Sequence, residues 1–228
     1  MLSLVLDTAD LTGGLAIARG EALIGSRTWI EGRRHSEFLW PSICELLQEN
    51  RLSLSDLGVV IATHGPGRLT GVRLGLTIAK SLCMTLSLSL TLVSRFDQQA
   101  RSLPVRPGSR LAVLLRTAHG QLGVQLYDSQ SDVWVALSPP QPLPPEEPLT
   151  RLRGLLPGPH PILAGSAASL LGADLEGVWP GVTLDPTPPS LDALLLEGLH
   201  RLRTGMEAPP AEARPFDLDA ASGLLAPG

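Results

Sequence analysis

Short apolar runs separated by turn residues open the chain and predict three strands. Residues 2–6 are an apolar run with one serine, and the run ends at Asp7 and Thr8. Two further segments of strand composition, residues 13–19 and 22–29, are separated only by a turn at Arg19-Gly20-Glu21. A short turn between two such segments is typical of a β-hairpin. This opening segment therefore predicts an antiparallel meander of three strands.

The hydrophobic period changes after the meander and predicts alternating helices and strands. Apolar residues recur at helical spacing over residues 36–50, where Ser36 is placed to cap the helix and Glu37 lies in its first turn. The members of this stripe are Phe38, Leu39, Ile43, Leu46 and Leu47. A strand, a helix and a strand are predicted next, at residues 58–63, 70–84 and 91–94. The predicted order is β-β-β-α-β-α-β.

The second half of the chain repeats this plan in weaker form. Strands are predicted at residues 110–116, 120–127, 133–137 and 161–165. A leucine stripe predicts an amphipathic helix over Leu191–Leu202. We expect Pro139–Pro148 to carry neither helix nor strand, because proline lacks a backbone N–H. The expected domains are an N-terminal lobe at 1–97, a C-terminal lobe at 98–207 and a Pro/Ala-rich tail at 208–228.

Composition and charge exclude some classes of protein. The formal net charge is −4, so no global positive field attracts nucleic acid, and a tRNA contact would need a local patch or a partner. The cysteines, Cys44 and Cys83, lack metal-knuckle spacing, and we expect both to be small buried apolar residues in a reducing cytoplasm. We recognise no signal peptide, and the leucine-rich stretch at 86–93 is too short to span a bilayer. We therefore expect a cytoplasmic protein without a membrane partner.

The run of residues 65–75 is the segment most indicative of chemistry. Its glycines at 65, 67 and 71 lie between a predicted strand and a predicted helix. Such a turn directs backbone N–H groups to the positive end of the helix, which suits an anion. The spacing is neither a Walker loop nor the dinucleotide-binding GxGxxG. The candidate anion or nucleotide loop comprises Asp7, Gly65, Gly67, Thr70, Gly71 and Arg73.

The same residues also have a purely structural interpretation, and we give it more weight. Asp7 at the end of a strand is a common turn former. Thr70 is a good helix cap, and Arg73 is placed to pair with an acidic neighbour or to cover the loop. Both interpretations stay open at the level of sequence.

The remaining polar residues form no recognisable catalytic centre. His35 is followed four residues later by Leu39 rather than by a second histidine, so we expect no metal at this helix. No serine or cysteine lies in a GxSxG nucleophile elbow. The helix at 70–84 is apolar nearly all round, with Leu74, Ile78 and Leu82 on one stripe, which favours burial on both sides.

Three motifs resemble the bacterial TsaB (YeaZ) family: Leu4–Thr8, the segment 34–41 and the whole run 65–75. The resemblance covers most of residues 1–200 and is strongest in 1–95. It implies an α/β protein of the ASKHA fold shared by actin, hexokinase and Hsp70, with two lobes, each a mixed sheet with flanking helices. It also implies a non-catalytic scaffold in the complex that forms threonylcarbamoyladenosine next to the anticodon of tRNAs reading codons that begin with A.

Partners and an interface are implied by the same resemblance. The partners are the catalytic TsaD subunit and the TsaE ATPase, with tRNA reached only through the complex and a homodimer allowed through the same helices. No cofactor is expected to bind the chain tightly, and ATP or ADP would act at the level of the complex. The implied interface residues are Phe38, Leu39, Ile43, Leu46, Leu74, Ile78 and Leu82.

The chain also departs from the family, and two alternative functions stay open. Arg68-Leu69 stands where the family usually has Ser-Phe, and Arg116 where it commonly has Asp. One alternative is a stand-alone nucleotide-dependent ASKHA enzyme, a kinase or hydrolase, that uses Asp7 and the glycine run. The other is a protein like the peptidase M22 metallopeptidases, which fits less well because the paired histidines are missing.

Overall fold

The structure is a computed structural model that describes residues 1–30, 35–117, 120–144, 148–156, 161–171, 175 and 179–218. Arg34 of the second motif and residues 219–228 of the expected tail lie outside the described residues. The chain divides into two compact units. The first comprises Met1–Gln98 and Ser190–Phe216, and the second contains Gln99–Pro189.

A five-stranded mixed sheet forms the centre of the first unit. Its strands are β1 (Leu2–Asp7), β2 (Thr12–Arg19), β3 (Ala22–Ile30), β4 (Leu57–Thr63) and β5 (Ser89–Val93). Their order across the sheet is β3-β2-β1-β4-β5. The first three strands pair antiparallel, whereas β1, β4 and β5 run parallel. The predicted meander is confirmed, and β1 is the central strand.

The described α-helices are α1 (His35–Glu49), α2 (Leu69–Leu86), α3 (Arg95–Arg101), α4 (Pro148–Leu155) and α5 (Leu191–Arg203). The helices predicted at 36–50, 70–84 and 191–202 are thereby confirmed. Two predicted caps are wrong. Ser36 lies inside the first turn, because α1 begins at His35. Arg68 is the N-cap of α2 and makes no side-chain cap bond, which leaves Thr70 within the helix.

Helices cover both faces of the first sheet. Leu39 and Ile43 of α1 and Leu82 of α2 are buried in a cluster with Leu4 and Leu6 of β1. On the opposite face, residues from α5 and the sheet share a second cluster that includes Val5, Val59, Leu194, Leu195 and Leu199. Parallel strands covered on both faces are apolar at nearly every position, and this explains the continuous apolar runs of β1 and β4.

The second unit is built around a sheet of its own. Its strands are β6 (Arg110–Arg116), β7 (Leu122–Gln130), β8 (Val133–Ala136), β9 (Gln141–Leu143), β10 (Ile162–Ala164) and β11 (Thr183–Asp185). The main path runs β11-β10-β6-β7-β8, and β9 pairs with β7. Leucines 114 and 126 of this sheet share a buried cluster with Leu152 of α4.

The two sheets have the same topology. With strands numbered within each unit, and with β9 set aside, both orders read 3-2-1-4-5. In both, the first three strands are antiparallel and the last two join the first in parallel. The repeat predicted from the two halves of the sequence is therefore present in the fold.

The expected domain boundaries differ from the observed division at the C-terminal side. Residues 190–207 were assigned to the C-terminal lobe, but α5 belongs to the first unit. The physical reason is that Leu194, Leu195 and Leu199 cover the sheet face that α1 and α2 leave open. The beginning of the expected tail is also part of this unit, because Ala208 N donates to Leu90 O at 2.9 Å and Lys80 Nζ to Ala213 O at 3.1 Å.

The proline-rich connector carries regular structure that the sequence did not predict. Gln141–Leu143 forms β9 on the edge of β7, and α4 begins at Pro148. Both are positions that tolerate proline, because an edge strand and the first turn of a helix leave the missing N–H without consequence. Residues 145–147 lie outside the described residues.

Two further expectations concern burial. Cys83 is buried, and burial raises the pKa of its thiol to about 11, whereas Cys44 is exposed on α1, contrary to expectation.

By length and composition alone, α2 is apolar enough to cross a bilayer. In the fold, however, its residues Ala79 and Leu82 belong to the core cluster over the first sheet, as is typical of a core helix.

Candidate partner surface and the turn after strand β1

The turn between β1 and β2, residues 8–10, contacts the beginning of α2. We call these three residues the β1–β2 turn. Thr8 Oγ1 donates to Gly71 O at 2.8 Å, and Arg68 N donates to Ala9 O at 2.7 Å. Thr8 and Ala9 are buried. The turn that follows the central strand is thus covered by the glycine run, which is hydrogen-bonded to it.

Two glycines of the run are required by this close approach. A Cβ atom at Gly67 would collide with Ala9 O, and one at Gly71 would collide with Thr8 O. The Gly71 position also faces the His35 ring, whose Cδ2 atom would lie 3.3 Å from an added Cβ. These glycines therefore allow backbone to pack on backbone, which a larger residue would prevent.

Hydrogen bonds and an arginine hold the Asp7 carboxylate at the end of β1. Asp7 Oδ1 accepts from Ala9 N at 3.1 Å, and Asp7 Oδ2 accepts from Gln98 Nε2 at 2.9 Å. The buried Arg95 guanidinium lies 3.9 Å from Asp7 Oδ1 and donates to Asp10 Oδ2 at 3.2 Å. The Arg95 cation is therefore close to two carboxylates, that of Asp7, which precedes the β1–β2 turn, and that of Asp10, which is its last residue.

His35 joins α1 to the same turn. Trp29 Nε1 donates to His35 Nδ1 at 2.7 Å, and His35 Nε2 lies 2.8 Å from Asp10 O. An indole N–H can only donate, so Nδ1 accepts and Nε2 carries the proton. Both ring nitrogens are thereby engaged within the protein. Among the described residues, no group of three His, Cys, Asp or Glu side chains is placed to hold a metal ion.

The residues of the predicted anion loop pack partly against the β1–β2 turn. Asp7, Gly67 and Gly71 come together, and Gly65 is buried nearby. Thr70 and Arg73 are exposed on the first turns of α2. The groups facing Gly67 and Gly71 are the carbonyl oxygens of Ala9 and Thr8, which repel an anion. The packing accounts for the glycines without a ligand, and anion binding at these residues stays a prediction.

The residues implied as a partner interface divide into two groups. Leu39, Ile43, Leu46 and Leu82 are buried in the core of the first unit, where a partner cannot reach them in this fold. The helical spacing of these four residues therefore identifies the face of each helix that packs on the sheet, and not the face that a partner could contact. Phe38, Leu74 and Ile78 are half-buried and remain accessible.

The interface residues implied by the resemblance do not include the most accessible large apolar side chains of these helices. Trp40 on α1 is 44% exposed, and Met84 on α2 is 65% exposed. The sequence does indicate their exposure, since Trp40 and Met84 are large apolar residues outside the stripe of apolar residues that packs on the sheet. Together with the half-buried Phe38, Leu74 and Ile78, they are the accessible large apolar residues of the two helices, and we call this set of residues the α1/α2 outer surface.

His64 directly precedes the first glycine of the run, Gly65. Its ring meets Phe216 edge-on, with the centroids 5.5 Å apart. Burial lowers the pKa of His64 to about 4, and the Arg201 guanidinium acts in the same direction, against Asp97 and a backbone hydrogen bond to Arg214. His64 is therefore neutral near pH 7 and serves as a packing residue there.

The two mixed sheets with their shared strand order define the class. An antiparallel three-stranded meander followed by two parallel strands, repeated in each unit and flanked by helices, is the architecture of the actin, hexokinase and Hsp70 class. The chain is therefore a two-unit α/β protein of the ASKHA fold.

Comparison with known proteins narrows this class to a family. The family model described as "TsaD: tRNA N6-adenosine threonylcarbamoyltransferase" matches residues 30–135. The tRNA threonylcarbamoyladenosine biosynthesis protein TsaB of Bacillus subtilis is 28% identical over 141 residues, which cover 62% of this chain and 61% of that protein. TsaB of Buchnera aphidicola subsp. Baizongia pistaciae is 35% identical over 54 residues, 24% of each protein. The matches thus span less than two thirds of these relatives' lengths.

A solved structure shares the whole fold. YeaZ from Pseudomonas aeruginosa superposes with a TM-score of 0.73 at 21% identity, covering 95% of this chain and 100% of that one. The chain is thus similar in sequence to TsaB proteins, and it shares the fold of YeaZ. The resemblance carried by the sequence motifs is confirmed.

Proposed function

We propose that this chain acts in the biosynthesis of threonylcarbamoyladenosine on tRNA, as a non-catalytic subunit that binds and activates TsaD. The similarity to the threonylcarbamoyladenosine biosynthesis proteins of Bacillus and Buchnera supports the pathway. The match of a TsaD family model to residues 30–135 supports a TsaD-like partner. A cytoplasmic location is part of this proposal.

The α1/α2 outer surface is the observation that carries the proposal. Trp40 and Met84 present large apolar side chains to solvent from two neighbouring helices on one face of the first sheet. Exposed aromatic and methionine side chains are enriched at protein interfaces. Partly buried Phe38, Leu74 and Ile78 on the same helices add apolar area to this face.

The state of Asp7 supports a non-catalytic role. A catalytic carboxylate must be available to a metal, a water molecule or a substrate. Both Asp7 oxygens instead accept hydrogen bonds from the protein, and Arg95 supplies a cation beside them.

The proposal extends to the TsaE ATPase as a third subunit, to ATP or ADP at the level of the complex, and to a homodimer through the same helices in the absence of TsaD.

The test is threonylcarbamoylation of tRNA by the purified cognate TsaD and TsaE, with and without this chain. We expect product only when the chain is present, and no nucleotide turnover by the chain alone. Met84→Glu should weaken the binding of TsaD by at least about tenfold, because a carboxylate would enter an apolar interface. Met206→Glu is the matched control, since Met206 is 52% exposed on the same unit but outside α1 and α2.

Either of two results would contradict the proposal. Full modification of tRNA without the chain would remove the need for a scaffold. Hydrolysis of ATP by the chain alone, abolished by Asp7→Asn, would instead favour the stand-alone enzyme.

A further inference from the structure

We propose that the β1–β2 turn sets the relative position of α1 and α2, and that Arg95 and His35 are positioning residues for the α1/α2 outer surface. The inference rests on the proposed function, because its consequence is the affinity for the partner.

All three carbonyl oxygens of the turn face the starts of the two helices. Thr8 O lies against the backbone of Gly71, and Ala9 O accepts from Arg68 N at the N-cap of α2. Asp10 O pairs with the ring of His35, the first residue of α1. One turn of three residues therefore contacts both helices where they begin.

Arg95 holds this turn in its conformation. Its guanidinium is buried and contacts the carboxylate before the turn and the one at its last residue. It lies 3.9 Å from Asp7 Oδ1 and 3.2 Å from Asp10 Oδ2. Without it, the largely buried Asp7 carboxylate and the partly exposed Asp10 carboxylate would lose the cation that they share, and their negative charges would no longer be compensated. The turn would then move, and the carbonyl groups that contact α1 and α2 would move with it.

His35 transmits the position of the turn to α1. It is buried, and it links Asp10 O to Trp29 Nε1 through its two ring nitrogens. Trp29 also stacks on Phe38, with ring centroids 6.3 Å apart. Phe38 belongs to the outer surface, so the chain of contacts runs from Arg95 through the turn and His35 to the proposed interface.

The experiment measures helix position and partner binding separately. Spin labels at Cys44 and at Ser81→Cys, both exposed, report the distance between α1 and α2 by pulsed electron paramagnetic resonance in a Cys83→Ala background. Calorimetry on the unlabelled chain gives the affinity for purified TsaD. Arg95→Met should broaden or shift the distance and weaken binding by about tenfold or more. Arg95→Lys, which keeps the charge, should restore part of both.

Two further variants keep the test decisive. Arg203→Met is the matched control, since Arg203 pairs with Glu21 on the same unit, and we expect neither readout to change. If Arg95→Met does not fold, His35→Phe takes its place, because it removes both ring hydrogen bonds while keeping an aromatic ring. His35→Gln, which can donate and accept, should recover the wild-type distance more closely.

The outcomes separate this inference from the proposed function. If wild-type chain binds TsaD and the folded variants bind equally well, the positioning role is overturned and the scaffold role stands. Weakened binding with an unchanged distance would also overturn it, because the effect would then not act through helix position. If wild-type chain does not bind TsaD at all, the proposed function fails, and this inference fails with it.

Discussion

At the scale of single residues, the glycine run is explained by what it touches. A glycine-rich turn before a helix is compatible with an anion site in any sequence, and only the contacts show which backbone groups face it. Here they are the carbonyl oxygens of Thr8 and Ala9, so Gly67 and Gly71 make a tight internal contact. The motif thus marks the position of a turn that the helix must approach closely.

Gly71→Ala tests this explanation. The added methyl group would collide with Thr8 O and press on the His35 ring, so we expect a loss of roughly 1–3 kcal/mol in the free energy of unfolding. The measurement is urea denaturation. Gly154→Ala is the matched control, because nothing lies within 4 Å of its added Cβ on α4, and it should be neutral or stabilising by up to about 1 kcal/mol. Equal effects of the two changes would contradict the packing role.

The desolvated, partly buried His64 predicts a pH dependence of stability. Its pKa is about 4 in the folded protein against an ordinary value of 6.5, so between these values the unfolded chain binds a proton that the folded chain does not. Stability from this group is therefore fully present above about pH 6.5 and is lost as the pH falls towards 4, by up to roughly 3 kcal/mol.

Removing the imidazole should remove this part of the pH dependence. We expect the stability of wild-type protein to fall more steeply than that of His64→Gln between about pH 7 and about pH 4.5, as measured by urea denaturation at each pH. The other histidines are common to both proteins and cancel in the difference. Parallel pH profiles would show that His64 titrates normally.

At the scale of elements, periodicity predicted most helices and strands of the first unit, because each has a strong local pattern. It could not separate an inner helix face from an interface. Ile43 and Met84 are both apolar residues on amphipathic helices, yet one is buried in the core and the other is 65% exposed. That distinction depends on which side the sheet lies, and the sheet brings together strands far apart in sequence. Likewise, the Arg95 contacts with Asp7 and Asp10 join residues 85 or more positions apart.

Helix α5 gives an element-scale prediction. A fragment of residues 1–98 should not fold cooperatively, because the sheet face around Val5 and Val59 would lose the leucines of α5. Joining residues 190–216 to it through a flexible linker should restore a cooperative thermal transition, followed by circular dichroism. The matched control is the same joined fragment with Leu195→Asp. A fragment 1–98 that melts cooperatively by itself would contradict the assignment of α5 to this unit.

At the scale of the whole molecule, the same strand order occurs twice, but the two units are not two successive stretches of chain. The chain leaves the first unit at Gln98, forms the second unit, and returns at Ser190. The repeat is visible in the sequence, but the pattern groups α5 with its neighbours in sequence, because periodicity carries no information on which sheet a helix covers.

This return path has a consequence for the order of events during protein synthesis. Ribosomes release the chain from its N-terminus, so the first sheet can form before Leu191–Arg203 exists. Until that helix emerges, the apolar face around Val5 and Val59 is open to water and to other nascent chains. The first sheet therefore gains its last covering helix only after all the strands of the second sheet have been synthesised, and a premature stop in the second unit would leave the first unit incomplete.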